Sequence, residues 1–364
     1  YIRFSGESEI ATTRKVYDHK LNPATGVSLK AYYKDVSYNQ LNINSTHYPV
    51  CAEPTTTNAS YEDSHTRDYF RPYDASTNPT GYQNETERRT REHQLLADAI
   101  NWVNANHPVD AGLNIDGDND GNVDNVCFMI KGSSDGWNDL LWAHRWALYT
   151  KNVYINGKRV YDYTFQPENQ VSVRTLCHEM FHALGAPDLY HYEPEGANLD
   201  PVGQWDIMEQ GGGHMGAYMK WKYADGNWIT DIPEITTSGT YSLNPLTSST
   251  NNCYKIVSPY VADEYFVLEY RKQSGDFESS VPGNGLIVYR INTNYNGNAQ
   301  YDGSTVFDEV YIYRPSGNLV VNGFINDAYF NSTVGRTSIN DGTNPTSFLT
   351  DGSVGGLNIS QIGA

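Results

Sequence analysis

The stretch that decides the interpretation of this chain is His-Glu-Met-Phe-His at residues 178–182. Residues four positions apart on an α-helix lie on one face, so His178 and His182 can direct a ring nitrogen at the same cation. Glu179 lies one step round the helix, where it can hold a water on that cation. Asp188 follows shortly afterwards and supplies an anionic ligand. Two imidazoles, one carboxylate and an open fourth position are typical of catalytic zinc, so the sequence predicts such a site here.

The residues around this motif predict where its helix lies and where it ends. An apolar stripe at spacings of three and four indicates a helix, and it is formed by Val173, Leu176, Met180 and Leu184. Gly185 can adopt the left-handed conformation that closes a helix, and Pro187 cannot continue one. We therefore expect the chain to turn sharply after the helix and to return Asp188 to the zinc.

The chemistry expected of this site is hydrolysis of a carbonyl compound. Zinc with three protein ligands lowers the pKa of its bound water to about 7. Glu179 would accept a proton as that water attacks a carbonyl, and would later pass the proton to the leaving amine. We therefore expect activity near neutral pH that is lost when Zn2+ is chelated.

A second segment, Gly-Gln-Trp-Asp-Ile-Met-Glu-Gln-Gly at residues 203–211, extends the pattern beyond the helix. The zinc stretch resembles that of the metzincin metallopeptidases, with Asp188 in place of the more usual third histidine. The combination is similar to the immune inhibitor A-like family of secreted bacterial zinc metallopeptidases. Supporting segments are residues 32–38, 142–148, 264–270, 282–289 and 350–352. The resemblance implies a secreted zinc endopeptidase that acts on protein or peptide substrates, with Met208 as a hydrophobic floor beneath the zinc.

One position departs from the metzincin pattern. Many metzincins place a tyrosine two residues after the turn methionine, where it helps to bind the oxyanion, and here that residue is Gln210. His214 and Tyr218 are nearby candidates for this role, but the spacing selects neither of them. The residue that assists Glu179 is therefore left open.

A second metal site is predicted at residues 116–124, Asp-Gly-Asp-Asn-Asp-Gly-Asn-Val-Asp. Oxygen ligands at alternate positions, with a glycine at the sixth, are typical of a calcium-binding loop. The expected ligands of Ca2+ are Asp116, Asp118, Asp120, the backbone carbonyl of Asn122, and Asp124. Cys127 stands where an EF-hand needs a bidentate glutamate, so a further ligand must come from elsewhere. The ion would stabilise the loop against unfolding and self-cleavage.

The periodic segments predict an α+β fold with two domains. Residues 1–235 are expected to form a metzincin-like catalytic domain that carries the zinc helix and the calcium loop. The elements predicted within it are a helix over about 86–106, a strand over 126–130, a strand through 142–146 with a hydrogen-bonded His144, and a hairpin over 153–161.

Residues 236–364 change in character and are expected to form an antiparallel β-sandwich packed on the catalytic domain. Strand-like runs recur there at short intervals, and long helical periodicity is absent. The runs are residues 239–243, 254–257, 265–270, 285–291 and 310–313. Asp302, Asp308 and Glu309 could form a further cation site, but we favour the interpretation that they are part of a solvated loop.

The composition argues against several classes of partner. The 364 residues include 25 basic and 43 acidic ones, with a net charge of −18, which argues against binding to nucleic acid or to an anionic membrane. No stretch approaches the roughly 20 apolar residues that span a bilayer, and no signal peptide is visible. Residues 2–4 read like a strand entered midway, so we expect a mature or trimmed extracellular protein, and a monomer.

The cysteines do not define a disulfide pairing. Cys51, Cys127, Cys177 and Cys253 allow three complete disulfide pairings, and the sequence does not choose among them. Cys177 faces about 100° away from His178 on the predicted helix, so it is not counted as a metal ligand.

Two alternatives remain open. In the first, the third zinc ligand is a downstream glutamate, Glu193, Glu195 or Glu209, although the metzincin offset of Asp188 argues against it. In the second, the protein is an extracellular calcium-stabilised binding or adhesion protein with a structural zinc site. Structural zinc usually has four protein ligands, and such a site has no need of Glu179. We therefore favour the peptidase.

Overall fold

The computed structural model describes residues 1–192, 199–224, 228–299 and 308–363. The chain divides into two compact units, residues 1–31 with 43–183 and residues 32–42 with 184–364. The described chain is a mixed α/β protein with several sheets, and all of its α-helices precede β8. The boundary expected near residue 235 stays a prediction.

The described elements are short apart from one long helix. The helices are α1 (Arg14–Leu21), α2 (Leu29–Val36), α3 (Glu85–Asn106), α4 (Val173–Ala183) and α5 (Ala217–Lys222). The strands are β1 (Ile2–Arg3), β2 (Tyr61–Glu62), β3 (Val126–Ile130), β4 (His144–Ala147), β5 (Tyr154–Ile155), β6 (Lys158–Arg159), β7 (Asp162–Pro167), β8 (Cys253–Val257), β9 (Glu264–Arg271), β10 (Gly285–Asn292), β11 (Val310–Ile312), β12 (Ile339–Asn340) and β13 (Asn358–Ile359). Within the described chain, every helix is too short or too polar to cross a bilayer.

The first unit contains a five-stranded sheet in the order β2-β1-β3-β7-β4. Strands β1, β2, β3 and β7 run parallel, whereas β4 is antiparallel to β7 and forms an edge of the sheet. Helix α4 packs against β7 and β4, so the zinc motif lies beside the antiparallel edge. Strand β3 confirms the strand predicted over residues 126–130.

Helix α3 confirms the helix predicted over residues 86–106. The Asn84 side chain accepts a hydrogen bond from the Glu87 backbone N–H at 3.0 Å, which satisfies a donor that the first helical turn leaves open. Its buried apolar residues are Leu95, Leu96, Ala97, Ala99 and Ile100. These side chains belong to the same hydrophobic core as the central strands of the sheet.

His144 and the predicted hairpin are also confirmed. His144 lies on β4, its Nε2 is 2.9 Å from Glu92 Oε1, and its ring stacks on Phe165. Strands β5 and β6 pair antiparallel across Asn156 and Gly157, which both have positive φ. Asparagine and glycine tolerate that conformation better than other residues, so the turn forms where the sequence provides them.

The second unit is built around a four-stranded antiparallel sheet in the order β11-β10-β9-β8. Its strands confirm four of the five runs predicted after residue 235. The strand predicted over 239–243 is wrong, because the structure forms no strand there. Tyr241 is exposed, its hydroxyl donates to the Thr237 carbonyl, and its ring makes an edge contact with Tyr254 of β8.

Candidate metal centre

Helix α4 has well-defined ends that fix the zinc motif within it. At the start, Ser172 Oγ accepts a hydrogen bond of 3.0 Å from the Thr175 backbone N–H. The helix ends at Ala183, and Gly185 then adopts a φ of 104°. This left-handed conformation confirms the predicted helix end, since it strains any residue with a side chain. Asp188 therefore follows the helix in an irregular segment.

His178 and His182 approach each other as two ligands of one cation do. Their Nε2 atoms are 3.2 Å apart and their rings are nearly perpendicular. Two nitrogens bound tetrahedrally to one zinc at about 2.0–2.1 Å lie about 3.3 Å from each other. One ligand atom from each of His178, His182 and Asp188 lies within 4.8 Å of the other two. Both the donor types and their spacing fit a zinc ion.

Glu179 lies on the same helix. Among the described residues, it is not part of the group formed by His178, His182 and Asp188. Its side chain is largely buried, since the residue is 6% exposed. A carboxylate beside the ligands, but separate from them, matches the arrangement needed for a general base that acts on a metal-bound water.

Met208 lies on a tight turn that begins at Asp206. The Gly211 N–H donates to the Asp206 carbonyl at 2.8 Å, and a Cβ on Gly211 would lie 2.6 Å from that oxygen. The turn therefore requires glycine at this position. Met208 is fully buried, and its carbonyl accepts a hydrogen bond of 3.0 Å from the Leu189 N–H. This bond joins the turn to the residue after Asp188.

Asp206 fixes the inside of this turn, a role that no motif in the sequence indicates. Its carboxylate accepts hydrogen bonds from the Met208 N–H at 2.9 Å and from the Gly216 N–H at 2.7 Å. The residue is almost completely buried, and burial raises its pKa to about 6.

Tyr192 is a second residue that the sequence did not indicate. Its hydroxyl donates to Asp188 Oδ2, and 43% of the residue is exposed. No periodic or motif-based signal connects the two positions, because the segment between them is irregular. A hydrogen bond to a ligand carboxylate restricts its orientation.

Neither residue considered for oxyanion assistance is exposed. His214 is fully buried with Nε2 3.1 Å from Asp35 Oδ2. Tyr218 is also buried, and its hydroxyl donates to Glu309 at 2.5 Å. Gln210, at the position of the metzincin tyrosine, donates from Nε2 to a carboxylate oxygen of Asp200 at 2.7 Å.

Of the glutamates considered as alternative third ligands, Glu209 is described by the structure, and it is not in the group of three. Glu193 and Glu195 lie outside the described residues. Glu209 Oε2 accepts hydrogen bonds from the backbone N–H groups of Val202 at 2.8 Å and Gly203 at 2.6 Å. Glu209 thus stabilises the loop that precedes the methionine turn.

The predicted calcium loop brings three of its aspartates together. One carboxylate oxygen from each of Asp116, Asp118 and Asp120 lies within 4.8 Å of the other two. Asp116 is buried, and its Oδ1 has no hydrogen-bond partner within the described chain. Lys158 Nζ lies 2.5 Å from Asp116 Oδ2. The ammonium therefore compensates part of the negative charge that a cation would otherwise neutralise.

The other two expected calcium ligands lie in the same loop with local hydrogen bonds. Asp124 Oδ1 accepts a hydrogen bond of 2.8 Å from the Gly117 N–H, and the Asn122 N–H donates to Asp120 Oδ1 at 2.7 Å. Gly121 has a φ of 91°, in agreement with the sharp bend expected there.

The cysteines, all of which are described, form no disulfide. Cys177 is fully buried on helix α4, and burial raises the pKa of its thiol well above the usual value. A neutral, buried thiol is a poor metal ligand and a poor nucleophile.

Comparison with known proteins agrees with the metal centre. Residues 17–225 match the family described as immune inhibitor A peptidase M6, catalytic domain. The chain belongs to the immune inhibitor A peptidase family. The matched residues are those of a peptidase catalytic domain. The matched residues include helix α4, the methionine turn and the loop at residues 116–124.

A curated relative supports the same family. Immune inhibitor A of Bacillus thuringiensis subsp. alesti is 27% identical to the chain over 165 residues. The alignment covers 36% of this chain and 23% of the relative, so the matched part is about a quarter of the relative's length. The peptidase family match ends at residue 225, before the four-stranded antiparallel sheet begins.

Proposed function

We propose that the chain is a secreted zinc endopeptidase in which His178, His182 and Asp188 bind Zn2+. The approach of the two histidine Nε2 atoms to 3.2 Å, with an Asp188 oxygen within 4.8 Å, carries this proposal. When bound, zinc supplies an acidic water and a Lewis acid for the substrate carbonyl.

Glu179 is the general base, and then the general acid, of the proposed reaction. Its carboxylate accepts the proton of the attacking water and afterwards donates it to the leaving amine. Its position next to His178 on α4, outside the ligand group, supports this role. The methionine turn is proposed to lie beneath the zinc, as the family resemblance implies, with Met208 as an apolar floor.

Strand β4 is the proposed docking edge for substrate. It is the antiparallel edge strand of the five-stranded sheet, and helix α4 packs against it. An exposed strand edge offers unpaired backbone groups that an extended peptide can pair with. An endopeptidase that binds its substrate in this way would recognise the extended backbone of many different sequences.

The finer features of the fold and compartment are also proposals. The antiparallel sheet β8–β11 supports a β-sandwich-like domain after residue 235, attached to a metzincin-like catalytic domain. The converging aspartates support a Ca2+ ion bound by Asp116, Asp118, Asp120, the Asn122 carbonyl and Asp124. The net charge of −18 and the calcium loop suit an extracellular protein.

The decisive experiment compares the purified chain with Glu179→Gln on a denatured protein substrate, after zinc has been quantified in both. We expect cleavage by the parent and a loss of about 10²–10⁴-fold in the variant at equal zinc content, because a general base contributes about that much. Absence of cleavage by the zinc-loaded parent would count against the peptidase and in favour of the extracellular binding protein.

A further inference from the structure

Asp188 is held by a segment that is distant in sequence. The backbone N–H of Asn298 donates to the Asp188 carbonyl at 3.0 Å. The Asn298 side-chain Nδ2 donates to the carbonyls of Leu189 at 3.0 Å and of Val310 at 2.7 Å. Its Oδ1 accepts a hydrogen bond of 3.0 Å from the Val310 N–H. Asn298 is fully buried, so this single residue joins the Asp188–Leu189 backbone to the start of β11.

Gly297, the residue before Asn298, packs closely against the backbone at Asp188. Its φ is 75°, and a Cβ there would lie 2.7 Å from the Asp188 carbonyl oxygen and 2.6 Å from Pro187 Cβ. Both the conformation and the close approach therefore require glycine. The Gly297 N–H donates to Glu309 Oε2, which also accepts a hydrogen bond from the Tyr223 hydroxyl. The segment is thus fixed on its far side as well.

The interpretation of Asp308 and Glu309 as part of a solvated loop is wrong. Glu309 is fully buried and Asp308 is 5% exposed, while Asp302 lies outside the described residues. Glu309 carries the hydrogen bonds that fix Gly297, and Asp308 Oδ1 is 2.6 Å from His191 Nε2. Both carboxylates are therefore internal parts of the second unit.

We propose that Asn298 and Gly297 are positioning residues for the third metal ligand. This inference rests on the proposed function, in which Asp188 binds zinc. Asp188 follows helix α4 in an irregular segment, so the helix does not fix the direction of its carboxylate. The bonds from Asn298 fix the backbone at Asp188 and Leu189, and the Tyr192 hydroxyl bonds the carboxylate itself. Both residues lie beyond residues 17–225, which match the peptidase family.

The first test replaces Asn298 with Asp and measures the dissociation constant for zinc by competition with a chromophoric chelator. The variant keeps the size of the side chain but puts a carboxylate oxygen against the carbonyls of Leu189 and Val310. We expect zinc affinity to fall by about 10- to 100-fold, as is typical when an orienting partner of a metal ligand is lost. With Co2+ in place of zinc, the visible absorption should also change, because it reports ligand geometry.

Asn252→Asp is the matched control for this variant. Asn252 is also buried, and its Nδ2 donates to the Ser248 carbonyl at 2.6 Å. Among the described residues, Asn252 makes no hydrogen bond to the segment around Asp188. Both variants are expected to unfold at a lower temperature than the parent, but only Asn298→Asp should lose zinc affinity.

A second pair of variants adds a methyl group, once at this contact and once at a control position. Gly297→Ala adds a methyl group against the Asp188 carbonyl, and Gly275→Ala adds one at a φ of 70° with no atom within 4 Å. The two glycines have similar positive φ values, 75° and 70°, so a difference between the variants reports the close contact at Gly297. We expect Gly297→Ala to weaken zinc binding and Gly275→Ala to leave it at the parent value.

The outcomes separate the inference from the proposed function. If Asn298→Asp and Gly297→Ala fold and bind zinc as tightly as the parent, the positioning role is overturned. It is also overturned if the controls lose as much affinity, or if both variants fail to fold while the controls fold. If the parent itself binds no zinc, the proposed function fails instead.

Discussion

Asp188 and Glu209 are both buried carboxylates close to the methionine turn, but their surroundings differ. Two backbone N–H groups donate to Glu209 Oε2. An Asp188 oxygen instead lies within 4.8 Å of a ring nitrogen of His178 and of His182. At the scale of single residues, this difference decides which carboxylate is available to a cation.

Replacement of each carboxylate in turn should separate these roles. Asp188→Ala is expected to lose more than about 100-fold in zinc affinity, since removal of a ligand exceeds the effect of losing an orienting partner. Glu209→Gln should retain zinc and lose only stability. Zinc content after dialysis, measured by elemental analysis, checks both. Retention of zinc by Asp188→Ala, with loss in Glu209→Gln, would reverse the assignment.

The histidine pair and the end of its helix could be predicted from the sequence. The residue that holds Asp188 in place could not. The pairing of His178 with His182 follows from helical geometry alone, and Gly185 marks the helix end through its own conformational freedom. Asn298 acts across more than a hundred positions through hydrogen bonds to backbone carbonyls. Such bonds depend on where two segments meet, and no residue pattern in either segment encodes that.

Among the elements, helix α5 carries an ammonium group into the interior of the second unit. Lys220 is fully buried, its Nζ donates to the Tyr38 hydroxyl at 3.1 Å, and it lies 3.0 Å from His214 Nδ1. Burial lowers the pKa of Lys220 to about 7. The other charged groups that act on it are Asp35, Glu269, Arg271 and Glu278.

This lysine should make stability depend on pH. In the unfolded chain Lys220 stays protonated up to about 10.5, whereas in the folded chain it loses its proton near pH 7. The unfolded state therefore binds more protons between these values, and the free energy of unfolding rises with pH. Relative to Lys220→Met, the parent should gain up to about 1.4 kcal/mol per pH unit between about pH 7.5 and 8.5.

Denaturant unfolding in a Glu179→Gln background, which prevents self-digestion, measures this difference. The pH window lies above the usual pKa of histidine and below the raised pKa values of the buried cysteines Cys177 and Cys253. Parallel curves for the two proteins would show that Lys220 does not titrate in this range.

The loop at residues 116–124 should make stability depend on calcium. A ligand that binds only the folded state adds about 2.7 kcal/mol when it is present at 100 times its dissociation constant. The double variant Asp118→Asn, Asp120→Asn should lose this stabilisation. Thermal unfolding with and without Ca2+ measures it, and Asp276→Asn, which alters an exposed aspartate elsewhere, is the control. An equal response of parent and double variant to Ca2+ would argue against the site.

Elements whose own residues carry a strong signal could be predicted from the sequence. Elements that form through contacts with distant segments were harder to predict. Helix α3 has a cap and a continuous apolar face, and the β5–β6 hairpin has its own turn residues. Strands β1 and β2 contain two residues each, which is too short for any periodicity. Residues 239–243 have strand-like composition, but Tyr241 is exposed and hydrogen-bonded within its own segment.

Over the whole molecule, the two units interleave along the chain. Residues 32–42 belong with 184–364, and Tyr32 and Tyr38 are hydrogen-bonded within that unit. The Tyr32 hydroxyl donates to the Gly213 carbonyl at 2.9 Å, and the Tyr38 hydroxyl donates to the Leu246 carbonyl at 2.8 Å. A division at a single point in the sequence therefore separates residues that pack together.

A chain truncated after residue 235 tests this arrangement. It would lack β9 and the segment after it, and with them the buried pair Arg271–Glu278. In the full chain, Glu278 accepts a hydrogen bond from the His214 N–H at 2.8 Å, and Arg271 donates to the Trp205 carbonyl at 2.6 Å. We expect the fragment to lack cooperative unfolding and tight zinc binding, as measured by circular dichroism and chelator competition. A folded, zinc-binding fragment would support the predicted domain boundary instead.

The bonds from Asn298 to the backbone at Asp188 and Leu189 also bear on how this protein could evolve or be engineered. A chimera that grafts residues 17–225 onto the C-terminal half of another family member would set a foreign side chain against that backbone. Catalytic halves should thus be poorly interchangeable between distant relatives, even where every metal ligand is retained. In natural lineages, changes at positions 186–189 should be accompanied by compensating changes at 297–298.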